Sequence, residues 1–205
     1  EIEKLLDEVF TEALKQLLEE FNNLANQFDS KKFNELSERM NMSYEDLQKQ
    51  LDRNLEMLKK MKIEERIIKN IEKIKEFAEQ NRISIEEIEK KKNFKEINDK
   101  ISDQQFDLQG IENELRETIE MNNELTKPLV FDEFSEEFKD IGKELENTIQ
   151  ELNKENRKKS EEGLKNSAEK LDNLAFSMEQ MLKSNKMKQN MENIENLKQI
   201  LSNLI

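Results

Sequence analysis

The sequence predicts an all-α fold, an elongated antiparallel helical bundle or coiled coil of about five to six helices. Charged residues make up 40% of the 205 residues and hydrophobic residues 34%, with only 3 Gly and 1 Pro, a composition typical of long helices. Apolar residues recur at steps of three and four, which leaves one apolar stripe on each helix. Pairs such as Glu65–Lys69 and Glu112–Arg116, spaced i to i+4, favour solvent-exposed helical faces.

The first half of the chain predicts three successive helices. Apolar residues from Ile2 to Phe28 keep helical spacing over this whole range, and Asp29–Ser30 marks a break. Ser43 and Ser84 are each followed by carboxylates at the spacing of a capping box, in which the hydroxyl and the carboxylate satisfy the free amides of a new helix. We therefore expect one helix to begin at residue 43 and another at residue 84.

Residues 94–125 carry the most regular pattern, a heptad seam. Its a positions are Phe94, Ile101, Leu108, Leu115 and Asn122, and its d positions are Ile97, Gln104, Ile111, Thr118 and Leu125. Polar seam residues weaken association but restrict register and partner choice, which favours one defined neighbour. The alternative is that Gln104, Thr118 and Asn122 face solvent at a loosely packed end. The pattern does not decide whether the seam pairs within the chain or with a second copy.

Residues 126–205 predict the remaining elements. Pro128 ends the seam helix, and Asp132 is a candidate cap for the next helix. Residues 153–163 contain no large apolar residue and predict a charged, flexible loop. The expected domains are a long-helix bundle over 1–152, this loop, and a Met-rich helical hairpin over 164–205 with its turn at 184–186.

Missing residue types argue against an enzyme. The chain has no Cys and no His, so it lacks a catalytic triad, a thiol nucleophile and an ordinary zinc or haem site. We therefore predict no catalytic, cofactor-binding or metal-binding residue and no cofactor. A net charge of −13 argues against a nucleic-acid partner. No apolar run approaches the roughly 20 residues needed to cross a bilayer, so we expect a soluble segment without membrane insertion.

The predicted partner-binding residues form two groups. Leu108, Leu115 and Asn122 represent the seam, and Met178, Met181 and Met191 represent the Met-rich C-terminal region. Flexible Met side chains suit surfaces that adapt to varied partners, although ordinary core filling is the other interpretation. The partner is predicted to be a protein, either a different one or a second copy of this chain.

Several segments resemble one known family. They are residues 168–171, the stretch from Met178 to Met181, residues 193–204, and the earlier segments 51–56 and 123–128. These segments resemble parts of a family of large, membrane-anchored Bacteroidota proteins of unknown function. The resemblance implies that the chain is a helical part of a longer protein of the bacterial cell envelope, on the periplasmic side of an anchored protein. It implies no catalytic residue.

The sequence leaves three hypotheses of function. The first is a non-enzymatic structural scaffold or interaction module that acts through helix–helix contacts. The second is a chaperone-like clamp that holds client segments in a Met-rich apolar groove around Met178 to Met191. The third, an enzyme that uses carboxylates alone, has no motif in its favour. The seam and the missing catalytic residue types favour the first.

Overall fold

A computed structural model describes residues 30–90 and 93–202, and they form four helices. These are α1 (Ser30–Glu89), α2 (Phe94–Asn123), α3 (Ser135–Asn153) and α4 (Arg157–Ser202). No strand occurs among these residues, so the predicted all-α class is confirmed. The structure has four helices in this part of the chain, fewer than the five to six predicted for the whole. The helix predicted at 2–28 lies outside the described residues.

Helix α1 is continuous where the sequence predicts two new starts. Ser43 and Ser84 both lie inside it, and Ser84 is only 3% exposed. A capping box stabilises a helix end only where amides lack a preceding carbonyl. Neither site is preceded by Gly or Pro that would interrupt the helix, so the amides there remain bonded within it. At both places the serine and the carboxylate three residues later are therefore part of an ordinary helical sequence.

The chain divides into two compact units, residues 1–57 and residues 58–205, and the boundary falls inside α1. Burial along α1 changes near this point. Leu55 and Leu58 are 56% and 39% exposed, whereas Ile63 and Ile67 are fully buried. The segments on both sides of the predicted 153–163 loop belong to the second unit.

Neighbouring helices of the second unit run antiparallel, as their paired contacts show. Lys59 reaches Glu124 and Lys100 reaches Glu87, so α1 and α2 run in opposite directions. Helices α2 and α3 are also antiparallel, because Asn98 donates to Asn153 and Gln105 donates to the Gly142 carbonyl. An ion pair between Lys170 and Glu144 joins α4 to α3. Contacts between Lys75 and Glu179 and between Asn81 and Ser167 join α4 to α1.

The core of the second unit is aliphatic. Ile, Leu and a few Phe and Met side chains from all four helices fill it, and burying each one stabilises the fold by roughly 1.5–3 kcal/mol. The largest fully buried side chains are Ile63, Ile67, Ile74, Ile88, Ile97, Ile101, Ile111, Leu115, Ile141, Leu145, Leu152 and Leu164. Since each helix supplies one buried stripe, the modest hydrophobic content of the chain is enough for this core.

The loop predicted at 153–163 is shorter than expected. Helix α3 ends at Asn153 and α4 begins at Arg157. Asn156 lies just before α4, and its Oδ1 accepts a hydrogen bond from the Lys159 amide at 3.5 Å, as a capping residue does. Glu155 adopts a positive φ of 53°, which lets the chain reverse within a few residues. The charged residues after 157 are the exposed face of the first turns of α4.

The predicted C-terminal hairpin is instead a single helix. Helix α4 continues through residues 184–186, where the turn was expected, as far as Ser202. Asn185, expected near the turn, is 4% exposed inside the helix. Its amide bonds to the backbone of a neighbouring segment, so it does not compete with the hydrogen bonds of its own helix.

Gly163 of α4 lies close against Thr148 of α3. A methyl group at this position would lie against Thr148 Oγ1, well inside van der Waals contact, and 3.2 Å from Thr148 Cβ. Gly163→Ala should lower the free energy of unfolding by about 1–2 kcal/mol, because overpacking exceeds the gain in helix propensity. Urea unfolding measures the change.

Gly142→Ala is the matched control on α3, since nothing lies within 4 Å of its added methyl group. It should raise the free energy of unfolding by about 0.5–1 kcal/mol. If Gly163→Ala also stabilises the protein, the two helices are not in close contact at Thr148.

Candidate interaction surface

The predicted seam lies inside the second unit. Leu108 and Leu115 are 3% and 0% exposed, and they belong to the core shared by the four helices. Gln104, Thr118 and Asn122 are buried as well, so the alternative that they face solvent is wrong. These seam side chains therefore offer no open surface to a partner of the folded chain.

Asn122 and Asn185 hold the extended segment between α2 and α3. Asn122 Nδ2 donates to the Leu129 carbonyl at 2.9 Å, and its Oδ1 accepts from the Leu129 amide at 2.8 Å. Asn185 makes the same pair of bonds with Val130, at 2.9 Å and 3.0 Å. Each side-chain amide thus bonds to a peptide group as a neighbouring strand would. We call these two residues the asparagine clamp.

Other buried polar side chains differ in how they are satisfied. Thr118 Oγ1 donates to the Glu114 carbonyl at 2.7 Å, and Asn81 Nδ2 donates to Ser167 Oγ at 2.9 Å. Asn70 and Gln104 are 1% and 3% exposed, and neither amide has a hydrogen-bond partner among the described residues. An unsatisfied buried group costs roughly 1–3 kcal/mol. Both positions therefore lower the free energy of unfolding. They also disfavour other packing registers of the helices, in which these amides would be buried against other apolar layers of the core.

The Met residues of α4 separate into two groups. Met178 is fully buried and Met181 is partly buried, with its Sδ 3.4 Å from the Asp132 amide that donates to it. Met187 and Met191 are 59% and 67% exposed. Core filling is therefore the role of Met178. Of the six residues predicted to bind a partner, only Met191 is exposed.

Ion pairs join the outer sides of α1 and α4. Lys75 Nζ lies 2.6 Å from Glu179, and Arg82 pairs with Asp172. The hydrogen bond from Arg82 to Asp172 is the main cause that raises the pKa of Arg82 above its ordinary value. Lys75 and Arg82 are seven residues apart, so they occupy the same edge of α1. The ion pairs of Lys75 and Arg82 therefore place charged groups along this edge of α1.

The same edge becomes apolar toward the start of the second unit. Seven and fourteen residues before Lys75 are Ile68 and Met61, which are 40% and 56% exposed. Since the Lys75–Glu179 contact sets the antiparallel register, Ile68 is level with residue 186 and Met61 with residue 193 of α4. Met187 and Met191 lie near these levels, on the outer side of α4 beside the edge that Asp172, Glu179 and Lys186 share at seven-residue spacing. We call Met61, Ile68, Met187 and Met191 the edge patch.

Charged residues flank the edge patch on both helices. On α1, Glu65 and Glu72 are exposed together with Lys62, Lys69 and Lys73, and the hydrogen bond from Lys69 is the main cause that lowers the pKa of Glu65. On α4, Lys183, Lys186 and Lys188 are exposed near the patch. The patch thus has a charged rim on both helices.

Sequence reasoning missed Met61 and Ile68. They lie off the stripe of α1 that contains Ile63, Ile67 and Ile74, and an isolated apolar residue off a stripe is common on protein surfaces. Their signal was the seven-residue spacing with Lys75 and Arg82. That signal has meaning only once the contacts with α4 are known.

Open clefts also lie elsewhere on the described part of the second unit. One of about 460 Å³ lies between α1 and α2, with Phe77, Ile101 and Gln104 in its lining and charged residues around it. The Gln104 amide atoms are inaccessible, so they are not available to a molecule in the cleft. Another, of about 400 Å³, lies between α2 and α3. Neither brings together groups with a recognisable chemistry.

Within the described residues, no group of three or more carboxylates is arranged to hold a metal ion. None of the described helices is long and apolar enough to span a membrane. Comparison with known proteins gives no family, no curated protein and no solved structure that matches the chain. The resemblance to the Bacteroidota family therefore stays a prediction.

Proposed function

We propose that the chain is a non-enzymatic helical scaffold or interaction module that acts through helix–helix contacts with a protein partner. The edge patch carries this proposal. Its four apolar side chains are between 40% and 67% exposed and lie at matching levels of two neighbouring helices. Exposed apolar patches with a polar rim are typical of protein–protein contact sites.

The helical framework supports this role. The buried stripes of α1 to α4 fix the relative positions of the four helices, so the edge patch lies on a preformed support. Binding of a partner helix there would cost little conformational entropy, because the site is already ordered. The further proposal that this module belongs to a larger cell-envelope protein rests on the sequence resemblance alone.

The clamp hypothesis has less support. It requires an open Met-rich groove around Met178 to Met191, but Met178 is fully buried and Met181 partly buried. Met187 and Met191 remain available, on the outer side of α4. A clamp would hold many different client segments, whereas a scaffold binds defined partners. The two functions therefore differ in how many proteins contact the edge patch.

Site-specific photo-cross-linking tests the proposed function. A photoreactive amino acid replaces Met61 or Met187 in the full chain, expressed in the cells from which the sequence derives. We expect one or a few discrete adducts, because a scaffold binds defined partners. A broad range of adduct masses would instead indicate a clamp.

Phe106 provides the matched control, because it is 76% exposed and lies on α2, outside the edge patch. The same photoreactive residue at this position should give no adduct. If the residue at Met61 or Met187 gives no more adduct than the one at Phe106, the edge patch is not an interaction surface and the proposed function is wrong.

A further inference from the structure

We infer that the core of the second unit holds an internal water site bounded by Asn81, Gln104 and Ser167, one side chain from each of three helices. These residues are 0%, 3% and 0% exposed. Asn81 Oδ1 and both amide atoms of Gln104 are buried without a hydrogen-bond partner among the described residues. In protein interiors such groups are typically bonded to ordered water. The site is independent of the edge patch and of the proposed function.

The contacts between helices place these side chains at one level of the core. Ion pairs on both sides of Gln104 join α1 to α2, and together they set Gln104 level with about residue 81 of α1. Asn81 Nδ2 donates to Ser167 Oγ at 2.9 Å, which adds α4 to this level. Contacts of α3 with α2 and α4 place the buried Leu145 there as well. The level therefore combines three polar side chains with one leucine.

Side chains at this level are smaller than those at the adjoining apolar level. One turn after Ser167 on α4, the core contains Leu171, and one turn before Asn81 on α1 it contains Phe77. One turn after Asn81, the buried side chain is Ser84, which is small and polar as well. A water molecule occupies about 30 Å³ and needs polar partners, so a polar level with small side chains is a place where the core can hold one.

Water molecules can satisfy all three unpartnered atoms. One can accept from Gln104 Nε2 and donate to Asn81 Oδ1, and a second can donate to Gln104 Oε1. Exchanging the nitrogen and the oxygen of the Gln104 amide leaves this requirement unchanged, because both atoms are unpartnered in the described part of the chain. The cleft of about 460 Å³ between α1 and α2 has Gln104 and Ser84 in its lining, so solvent comes close to this level.

Water NOE spectroscopy of the full chain tests for the bound water. We expect cross-peaks from water to the side-chain amide protons of Gln104, and a ROESY spectrum separates these NOEs from hydrogen exchange. Asn81→Leu should abolish the cross-peaks, because it removes the Asn81 oxygen and fills the space of the water. Asn70→Leu is the matched control, since it replaces another buried asparagine of α1, level with Leu115, and should leave the cross-peaks in place.

Ser167→Ala tests for a relay through the serine hydroxyl. The Ser167 hydroxyl exchanges its hydrogen with solvent and could transfer a water signal to the Gln104 amide without any bound water. The cross-peaks should persist in this variant, because Asn81 and Gln104 supply the hydrogen bonds to the water. If they vanish, the hydroxyl is their source and the inference is wrong.

The unmodified chain gives the deciding result. Absence of water NOEs at the Gln104 amide overturns the inference, even if a variant fails to fold, and a direct hydrogen bond between Asn81 and Gln104 in a crystal structure does so too. Cross-peaks that persist in Asn81→Leu also contradict it. Far-UV circular dichroism verifies that each variant is folded. None of these results affects photo-cross-linking at the edge patch, so the proposed function is tested separately.

Discussion

Leu108→Asp and Leu115→Asp should each unfold the second unit, and the double variant should show no cooperative unfolding transition. The two leucines are 3% and 0% exposed and lie in the shared core. A carboxylate at either position would be buried without a described cationic partner, and it would also remove the apolar contacts of the leucine. Together these effects cost more than about 4 kcal/mol, a large part of the 5–15 kcal/mol typical of a domain. Far-UV circular dichroism and urea unfolding measure the loss.

Phe106→Asp is the control for these variants. It introduces the same charge on the same helix, but Phe106 is 76% exposed. The expected change in the free energy of unfolding is within about 0.5 kcal/mol. If Leu115→Asp keeps a cooperative transition similar to that of Phe106→Asp, Leu115 is not in the core of the folded chain.

Asn122→Ala should lower the free energy of unfolding by about 2–4 kcal/mol. The substitution removes both hydrogen bonds to Leu129, a residue that is only 9% exposed. The Leu129 amide and carbonyl then lose their partners in a buried position, which costs roughly 1–3 kcal/mol for each group. Urea unfolding measures the total. Hydrogen exchange at the Leu129 amide reports the local effect, because that amide should lose its protection.

Asn185→Ala removes the corresponding pair of bonds to Val130 but should cost only about 1 kcal/mol. Val130 is 58% exposed, so water can replace the lost side-chain amide. Asn113→Ala, at an exposed position of α2, should be neutral or slightly stabilising because Ala has the higher helix propensity. If Asn122→Ala costs no more than Asn113→Ala, the asparagine clamp does not hold the connection between α2 and α3.

The heptad pattern predicted the inner side of α2 well. Its eight buried helical residues, from Ile97 to Asn122, are all seam positions of the sequence. Leu125, the last seam position, is buried just beyond the helix end. Phe94, the first, is partly buried against the core. Spacing succeeds here because a helix side that packs on neighbours must recur with the helical period.

Helix ends were predicted less well. Local signals at Ser43, Ser84 and residues 184–186 suggested starts or turns, yet α1 and α4 continue through all three. A serine, asparagine or glutamate can cap a helix or remain inside one, and the choice depends on packing with neighbouring helices. Asn185 illustrates this, since its amide finds a partner in Val130, which is far away in sequence.

The candidate surface depended most on tertiary structure. The sequence singled out six residues for partner binding, and only Met191 among them is exposed. A pattern of apolar residues does not tell a stripe that packs within the chain from one that meets another molecule. Met61 and Ile68 became part of a candidate site only through the register that the Lys75–Glu179 contact sets.

The amino-acid sequence was enough to predict that this protein is built of helices and which side of α2 is buried. Both follow from periodicity and composition, which act within a single helix. Tertiary packing determines which stripes pair, that α1 and α4 continue through the predicted breaks, and that Asn122 and Asn185 bond to a connecting segment. These features depend on groups far apart in sequence, whose distances are set by packing. For the same reason the exposed edge of α1 and α4 could be found only after the helices were placed.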